Sequence, residues 1–379
     1  MRHPLRIGIA GTGAIAFATS ALLHMQGHTP MLWSPSKVGT RALEIAPLHA
    51  LGAIEVKFTP RVASSAQDLT EKNDVLIIAL PAYGHKTVME RLVPHIRNGQ
   101  HIIISSHASL GALYLAQLLA VRGVQAPITA WGTTVATGRR QKGAVVQVNT
   151  VRRCIDLCTV PETESDTALK LCQRMFGDRF QPREGLLAIS LSNLNPQNHL
   201  GIALGNITRM ERGEAWSQGQ NVTPKVGRLL EQLDLERLAI AKGLELNVKT
   251  IFEHFHLSFH VPIASVSEMN QQMHALGNGG TGPATADSRY VTEDVPYGLQ
   301  FTAVLGRLVG QKAKLHEAGI EIFSAMYNRD FTNENTLLNA LELNRINLKD
   351  LQQAARTGLL QATPQEVSFS QKDTEKLNQ

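Results

Sequence analysis

The chain of 379 residues has few cysteines and no concentrated positive charge. Its three cysteines, Cys154, Cys158 and Cys172, form no Cys-x-x-Cys motif, and no histidine stands at zinc-finger spacing. We therefore expect neither a disulfide framework nor a zinc site, which is typical of a reducing compartment. Lys and Arg total 37 against 32 Asp and Glu, with no run of five basic residues, so no nucleic-acid partner is expected.

We also expect neither a leader nor a membrane span. The N-terminus turns apolar within its first few residues and runs directly into a glycine turn, which leaves no room for a signal peptide. The longest uncharged stretch, residues 185–208, is long enough to cross a bilayer but carries amides, a histidine and a proline near its middle. These features predict a cytoplasmic protein with no membrane partner.

The sequence does contain enough apolar residues, 43%, for two domains. Up to about residue 160, short aliphatic runs alternate with helix-like segments, which predicts a parallel sheet covered by helices on both faces. Strands are predicted at 5–10, 29–33, 75–80, 101–105, 128–131, 144–149 and 154–159, and helices at 14–26, 83–97, 110–122 and 165–176.

After residue 185 the apolar residues recur with a period near 3.6, which predicts a second, all-helical domain. Its helices are expected at 186–212, 224–244, 298–318 and 336–343. The predicted division is an α/β domain over 1–184, a helical domain over 185–362 and a polar tail over 363–379.

The turn between the first strand and the first helix matches a dinucleotide-binding pattern. Its residues are Gly11, Thr12, Gly13, Ala14, Ile15 and Ala16. The first glycine permits a tight turn, the second lets the backbone approach a pyrophosphate, and the alanine allows close packing of helix on strand. The position of this turn predicts a Rossmann-type NAD(P)-binding domain, whereas the alternative is a glycine-rich turn that binds nothing.

No carboxylate follows the second strand, where a site for NAD places one to accept the ribose hydroxyls. The chain has Ser34, Ser36, Lys37 and Arg41 there, which favours the 2′-phosphate of NADP while leaving NAD possible. The alternative is that the two cations are solvated surface charges. The expected cofactor-binding set is completed by Leu80 and Pro81, at the end of the strand predicted at 75–80.

Polar side chains recur along one face of the first long helix of the second domain. Asn195, His199, Ile202 and Asn206 stand at helical spacing, so three hydrogen-bonding groups share one stripe. Leaving such groups buried without partners costs about 1–3 kcal/mol each. The stripe indicates a cleft that holds substrate or cofactor, and the alternative for His199 is a core histidine with a protein partner.

A second polar segment runs from Arg289 to Leu299. Pro296 predicts the first turn of a helix, which places Asp294 near the helix N-terminus, where the macrodipole favours a carboxylate. The alternative for Arg289 and Asp294 is a local salt bridge or a helix cap.

Together these elements resemble the opine dehydrogenases, the octopine/nopaline dehydrogenase group. The resemblance rests on an Asn-x-x-x-His element at Asn195 and His199, an Asp-x-Glu-Arg element at 234–237, and an Arg-Tyr-x-x-Glu-Asp-Val-Pro-Tyr-Gly-Leu block at 289–299. It implies NAD(P)H-dependent reductive condensation of an α-keto acid, such as pyruvate, with the amino group of an amino acid or amine.

The resemblance also implies roles for individual residues. His199 would be the general acid and base, Asp294 its orienting carboxylate, and Arg289 the anchor for a substrate carboxylate. Asn195 and Tyr297 would join Arg289 in binding substrate. The expected partners are therefore small molecules, and a homodimer is left open.

Two other functions stay open on the residues alone. A 3-hydroxyacid or glycerol-phosphate dehydrogenase would use a catalytic lysine, but none stands between Lys170 and Lys225. A non-catalytic NADP-binding redox sensor would need no histidine, aspartate and arginine set. The histidines near 254–260 do not gather on one helical face, so no metal is expected.

Overall fold

The computed structural model describes residues 3–360, which form two compact units. Of these residues, the first unit contains 3–189 and 349–360, and the second contains 190–348. The chain thus returns to the first unit at residue 349, within the segment predicted as the helical domain. The predicted polar tail, 363–379, lies outside the described residues.

The first unit is built on two β-sheets. Its strands are β1 (Arg6–Ala10), β2 (Thr29–Trp33), β3 (Leu48–Gly52), β4 (Val56–Phe58), β5 (Arg61–Val62), β6 (Val75–Ile78), β7 (His101–Ile104), β8 (Ile128–Trp131), β9 (Ala136–Arg140), β10 (Val145–Val151), β11 (Ile155–Val160) and β12 (Phe180–Pro182). The large sheet has the order β12-β11-β8-β7-β6-β1-β2-β5, and the small sheet has the order β4-β3-β10-β9.

Strands β8, β7, β6, β1, β2 and β5 are mutually parallel, and the antiparallel step lies between β8 and β11. Strands β6, β7 and β8 are buried at every position, as expected of central parallel strands. The Rossmann-type α/β fold predicted from the alternation of strands and helices is therefore confirmed.

Helices connect the strands of the first unit and make up the second. They are α1 (Ala14–Met25), α2 (Arg41–Ile45), α3 (Ala66–Glu71), α4 (His85–Leu92), α5 (Gly111–Val121), α6 (Ser165–Phe176), α7 (Gly185–Ser192), α8 (Asn195–Glu211), α9 (Pro224–Gly243), α10 (Ile251–Phe259), α11 (Val266–Ala275), α12 (Arg289–Thr292), α13 (Gln300–Leu308), α14 (Lys314–Tyr327), α15 (Thr336–Leu341) and α16 (Leu348–Thr357). None of these helices combines the length and the apolarity needed to cross a bilayer.

The all-helical second unit is as predicted, but two of its long predicted helices are interrupted. The segment 186–212 divides into α7 and α8, and the segment 298–318 divides into α13 and α14 after a π-helical turn, Val295–Leu299. Glycines let these helices approach closely, since a Cβ on Gly298 would lie 2.3 Å from Pro196 Cγ, and one on Gly319 would lie 2.0 Å from Leu200 Cδ1.

The small sheet was not expected as a separate layer. The predicted strand at 144–149 is real but belongs to this sheet, where it becomes β10 and pairs with β3 and β9. Helix α1 packs against β9, so the small sheet supports the helix that follows the glycine turn.

Candidate functional site

Four of the segments that follow parallel strands in the first unit lie at one edge of the large sheet. Gly11 follows β1, Ser34 follows β2, Ala79 and Leu80 follow β6, and Ser105 follows β7. Because these strands are adjacent in the order β7-β6-β1-β2, their carboxyl ends meet at the same edge. Doubly wound sheets bind ligands at this edge.

The glycine turn has the geometry that a dinucleotide requires. Gly11 has φ +139°, its N–H donates to Trp33 O at 2.8 Å, and a Cβ there would lie 2.1 Å from Ala79 O. Gly13 is the N-cap of α1, where no side chain caps the helix, and a Cβ on it would meet nothing within 4 Å. The amino end of α1 is thus open to an anion.

The residues after β2 form a tight turn. The Oγ atoms of Ser34 and Ser36 lie 3.3 Å apart, and Lys37, with φ +57°, donates its N–H to Ser34 O at 3.1 Å. Arg41 begins α2 and is exposed. The two hydroxyls and the two cations therefore lie in one short segment, with no acidic side chain before Glu44.

Leu80 and Pro81 lie at the end of β6, where the Leu80 carbonyl accepts a hydrogen bond from His85 Nε2 at 2.9 Å. Beyond β7, buried His107 accepts a hydrogen bond from the N–H of Ala112 at 3.2 Å and so caps α5. Burial, with a smaller contribution from His85, lowers the pKa of His107 to about 3. His107 is therefore a neutral helix cap, and the sequence gives no signal for that role.

In the second unit, His199 and Asp294 form a direct pair across 95 residues of sequence. Nδ1 of His199 lies 2.7 Å from Oδ2 of Asp294, and both side chains are about one-fifth exposed, at 18% and 21%. With Nδ1–H donating to the carboxylate, Nε2 is the ring nitrogen that does not contact Asp294. Asp294 is the N-cap residue of the π-helical turn, close to the position predicted from Pro296.

Tyr290 lies against the imidazole of His199. The two rings are stacked, with centroids 3.5 Å apart and planes 8° from parallel, and Tyr290 Oη–H donates to Gln218 Oε1 at 2.5 Å. Sequence reasoning missed this contact, because Tyr290 was only part of a matching block. One face of the catalytic candidate is therefore covered by an aromatic ring.

Arg289 forms an ion pair with Glu293 through Nε. The arginine side chain is 65% exposed, whereas the glutamate side chain is 9% exposed. The spacing of four residues on one helical turn permits this pair, which is the alternative considered from the sequence. The guanidinium remains accessible to an anion from solvent.

The two asparagines of the predicted polar stripe and Tyr297 have different surroundings. Asn206 Nδ2 donates to Ile202 O at 3.0 Å, where α8 is kinked, and Asn195 is exposed at the start of α8. Tyr297 is buried, and its hydroxyl lies 3.0 Å from Thr336 Oγ1.

The Asp-x-Glu-Arg element is part of the helical core. Arg237 Nη2 donates to Asp234 Oδ1 at 2.7 Å, and both side chains are almost fully buried. Asp234 Oδ2 also accepts the N–H of Ile251, the first residue of α10, at 2.9 Å. This element therefore positions helices.

A Rossmann-type unit with an open glycine turn and a helical unit with a His–Asp pair together define an NAD(P)-dependent oxidoreductase. Residues 182–327 match the family described as NAD/NADP octopine/nopaline dehydrogenase, alpha-helical domain, and residues 7–149 match the ketopantoate reductase PanE/ApbA family. An opine dehydrogenase of Arthrobacter sp. (strain 1C) is 29% identical over 356 residues, which cover 91% of this chain and 96% of that protein. The helical part of the chain therefore matches the octopine/nopaline dehydrogenase group, and nearly the whole chain is similar to an opine dehydrogenase.

Solved structures show the same fold. An octopine dehydrogenase determined with NADH and L-arginine is 16% identical and has a TM-score of 0.78. The structural match covers 95% of this chain and 100% of that one. A yersinopine dehydrogenase with NADP+ bound is 15% identical and has a TM-score of 0.67. The structural match covers 94% of this chain and 99% of that one.

Proposed function

We propose that this chain catalyses the NAD(P)H-dependent reductive condensation of an α-keto acid, such as pyruvate, with the amino group of an amino acid or amine. The observation that carries the proposal is the contact of 2.7 Å between His199 and Asp294, within the helical domain that matches the octopine/nopaline dehydrogenase family. The octopine dehydrogenase structures with L-arginine and with pyruvate support this class of substrates.

The residues of the first unit fit a bound dinucleotide. Gly11 cannot carry a side chain, because Ala79 O occupies the position of its Cβ, and the open backbone at Gly13 leaves room for a pyrophosphate at the start of α1. Thr12, Ala14, Ile15 and Ala16 complete this pyrophosphate turn. The chemistry that the dinucleotide supplies when bound is hydride transfer to the imine carbon.

NADP is the proposed cofactor in preference to NAD. The turn after β2 offers the hydroxyls of Ser34 and Ser36 and the cations of Lys37 and Arg41 to a 2′-phosphate. A site for NAD would have a carboxylate here to accept the ribose hydroxyls, and this turn has none. Leu80 and Pro81, at the end of β6, are the proposed contacts with the rest of the dinucleotide.

His199 is the proposed general acid and base of the condensation. Attack of the amine on the keto carbon forms a carbinolamine, and loss of water from it forms the imine. Nε2 of His199 takes a proton from the attacking nitrogen and returns one to the departing hydroxyl, while the contact with Asp294 fixes the ring orientation. A positioned acid and base of this kind typically contributes about 10²–10⁴-fold in rate.

Arg289 is the proposed anchor for a substrate carboxylate. Its side chain is 65% exposed, and a planar guanidinium can bind a carboxylate with two parallel hydrogen bonds. A substrate carboxylate would share this cation with Glu293. Asn195 and Tyr297 remain proposed substrate contacts beside it.

The proposal is tested by following NADPH oxidation with pyruvate and other keto acids against a panel of amino acids and amines, with the product mass measured. We expect oxidation only when keto acid and amine are both present, and a product whose mass equals their sum less one oxygen atom. Oxidation by the keto acid alone would indicate a hydroxyacid dehydrogenase, and NADPH binding without turnover with any pair would indicate a redox sensor.

A further inference from the structure

Arg140, the last residue of β9, ties together three turns of the first unit. Nη1 donates to Thr12 O at 2.6 Å, and Nη2 donates to Gly39 O at 3.0 Å and to Gly143 O at 3.2 Å. The three acceptors belong to the glycine turn, the turn after β2 and the turn between β9 and β10. The guanidinium also lies over the ring of Phe17 on α1, with Cζ 4.3 Å from the ring centroid.

The junction where Arg140, Thr12 and Gly39 meet is closely packed. A Cβ on Gly39 would lie 1.9 Å from Thr12 Oγ1 and 3.2 Å from Arg140 Nη1. A glycine is therefore required where the turn after β2 meets the glycine turn. Arg140 thus connects the small sheet to the two turns that follow β1 and β2 of the large sheet.

The charge of Arg140 has no carboxylate partner within 4 Å among residues 3–360; its hydrogen bonds go to carbonyl oxygens. Burial lowers the pKa of the guanidinium from its ordinary value. Withdrawing a cation from water without an acidic partner is costly. Because the three backbone carbonyls offset this cost, we infer that the role of Arg140 is to hold the three turns in place.

The contact with Thr12 also orients the next peptide group. The C=O and N–H of a trans peptide point in opposite directions, and the peptide between Thr12 and Gly13 is trans. When Arg140 holds Thr12 O, the N–H of Gly13 is directed away from the guanidinium. That N–H lies at the N-cap of α1, where it could donate a hydrogen bond to a pyrophosphate.

We propose that Arg140 is a positioning residue for the dinucleotide, which fixes the glycine turn and the turn after β2 in the binding conformation. This inference rests on the proposed function, because it requires that the glycine turn binds NAD(P)H. Because Arg140 holds the pyrophosphate turn, it contributes to the binding of both NADH and NADPH, and its bond to Gly39 O makes the contribution to NADPH at least as large. A residue that contacted the 2′-phosphate itself would contribute to NADPH alone.

The test compares Arg140→Gln with Arg139→Gln, which removes the same charge from the adjacent, exposed position of β9. Kd values for NADH and NADPH are measured by fluorescence titration, alongside kcat at saturating cofactor, the KM of both substrates, and thermal melting. Loss of charge-assisted bonds predicts that Arg140→Gln raises both Kd values about ten- to hundredfold, with the NADPH value raised at least as much as the NADH value. We expect kcat and the substrate KM values to stay within about threefold of the wild type, as they do for Arg139→Gln.

Two further variants separate positioning from loss of folding. Gly39→Ala disturbs the same junction without removing the charge and should also raise the Kd values for both cofactors. Arg140→Lys should bind both cofactors more tightly than Arg140→Gln does. Loss of NADPH affinity alone, or equal effects of Arg139→Gln and Arg140→Gln, would overturn the positioning role. Absence of dinucleotide binding by the wild type would instead refute the proposed function.

Discussion

Tyr290 is stacked face to face on His199, with 3.5 Å between the ring centroids. An aromatic face stabilises a cation stacked on it by about 0.5–2 kcal/mol, so in the proposed mechanism Tyr290 would stabilise the transition state of proton transfer to His199. We expect Tyr290→Leu to lower kcat by about two- to thirtyfold. Tyr290→Phe keeps the ring and should retain most of the rate, so an equal loss in both variants would assign the effect to the hydroxyl and Gln218.

Replacement of His199 tests the acid and base role directly. His199→Ala should lower kcat by about 10²–10⁴-fold, because Nε2 no longer transfers the proton. The Kd for NADPH should be unchanged in a fluorescence titration. His260→Asn, at an exposed position with φ +56° that asparagine tolerates, is the matched control. A His199→Ala enzyme with the full rate would remove His199 from the chemistry.

Arg289→Gln should raise the KM for the keto acid about ten- to hundredfold, since a charge-assisted contact is worth about 1.5–3 kcal/mol. Glu293→Gln is the control, because it breaks the ion pair but leaves the guanidinium in place. Steady-state kinetics should show little change in the keto acid KM for that variant. If the two variants changed this KM equally, the ion pair rather than substrate binding would be responsible.

Ser34→Asp should shift cofactor preference from NADPH to NADH. A carboxylate after β2 accepts the ribose hydroxyls of NADH and repels a 2′-phosphate. We expect the ratio of kcat/KM values, NADPH over NADH, to fall at least about tenfold, or roughly 1.4 kcal/mol. A ratio that does not move would place the 2′-phosphate away from this turn.

Two buried histidines should make the stability of the first unit depend on pH. Burial lowers the pKa of His101 to about 4 and that of His107 to about 3, both below the ordinary 6.5. The unfolded chain therefore binds more protons below pH 6.5, so the stabilisation is complete above that pH and is lost as the pH falls toward 4. Each histidine should lower the free energy of unfolding by about 1.4 kcal/mol per pH unit in this range.

Urea unfolding at pH 7 and pH 5 checks this pH dependence. His107→Gln, whose side-chain oxygen reaches the position of Nε2 and can still accept the N–H of Ala112, should be less sensitive to pH than the wild type. His260→Asn should keep the wild-type slope. A His107→Gln protein as sensitive to acid as the wild type would show that folding does not lower the pKa of His107.

The large sheet and the main helices were predictable because strong periodic signals mark them. Strands of four to six buried residues and the glycine turn identify the Rossmann-type unit, and the spacing of apolar residues identifies the helical one. The small sheet was missed because β4 has only three residues and carries too little pattern. The π-helical turn before α13 was missed because its residues fit an ordinary helix start.

The site was predictable only where residue type itself indicates chemistry. His199 and Asp294 were paired through a resemblance, and their contact joins residues 95 apart, which no local periodicity reveals. The stack of Tyr290 and the junction at Arg140 depend on side-chain placement after folding. Asn206 was misplaced because a helix kink turns its amide onto the backbone carbonyl of Ile202.

The return of the chain to the first unit at residue 349 makes the helical unit an insertion within the nucleotide unit. The outgoing and returning segments are adjacent, since a Cβ on Gly185 would lie 3.2 Å from Ala355 O. The returning segment is also bound to α5, where Gln117 Nε2 donates to Gly358 O at 2.8 Å. A polypeptide cut after residue 348 would lack a piece of the nucleotide unit. A splice joining residue 189 to residue 349 through a short linker would instead provide that unit as one continuous polypeptide.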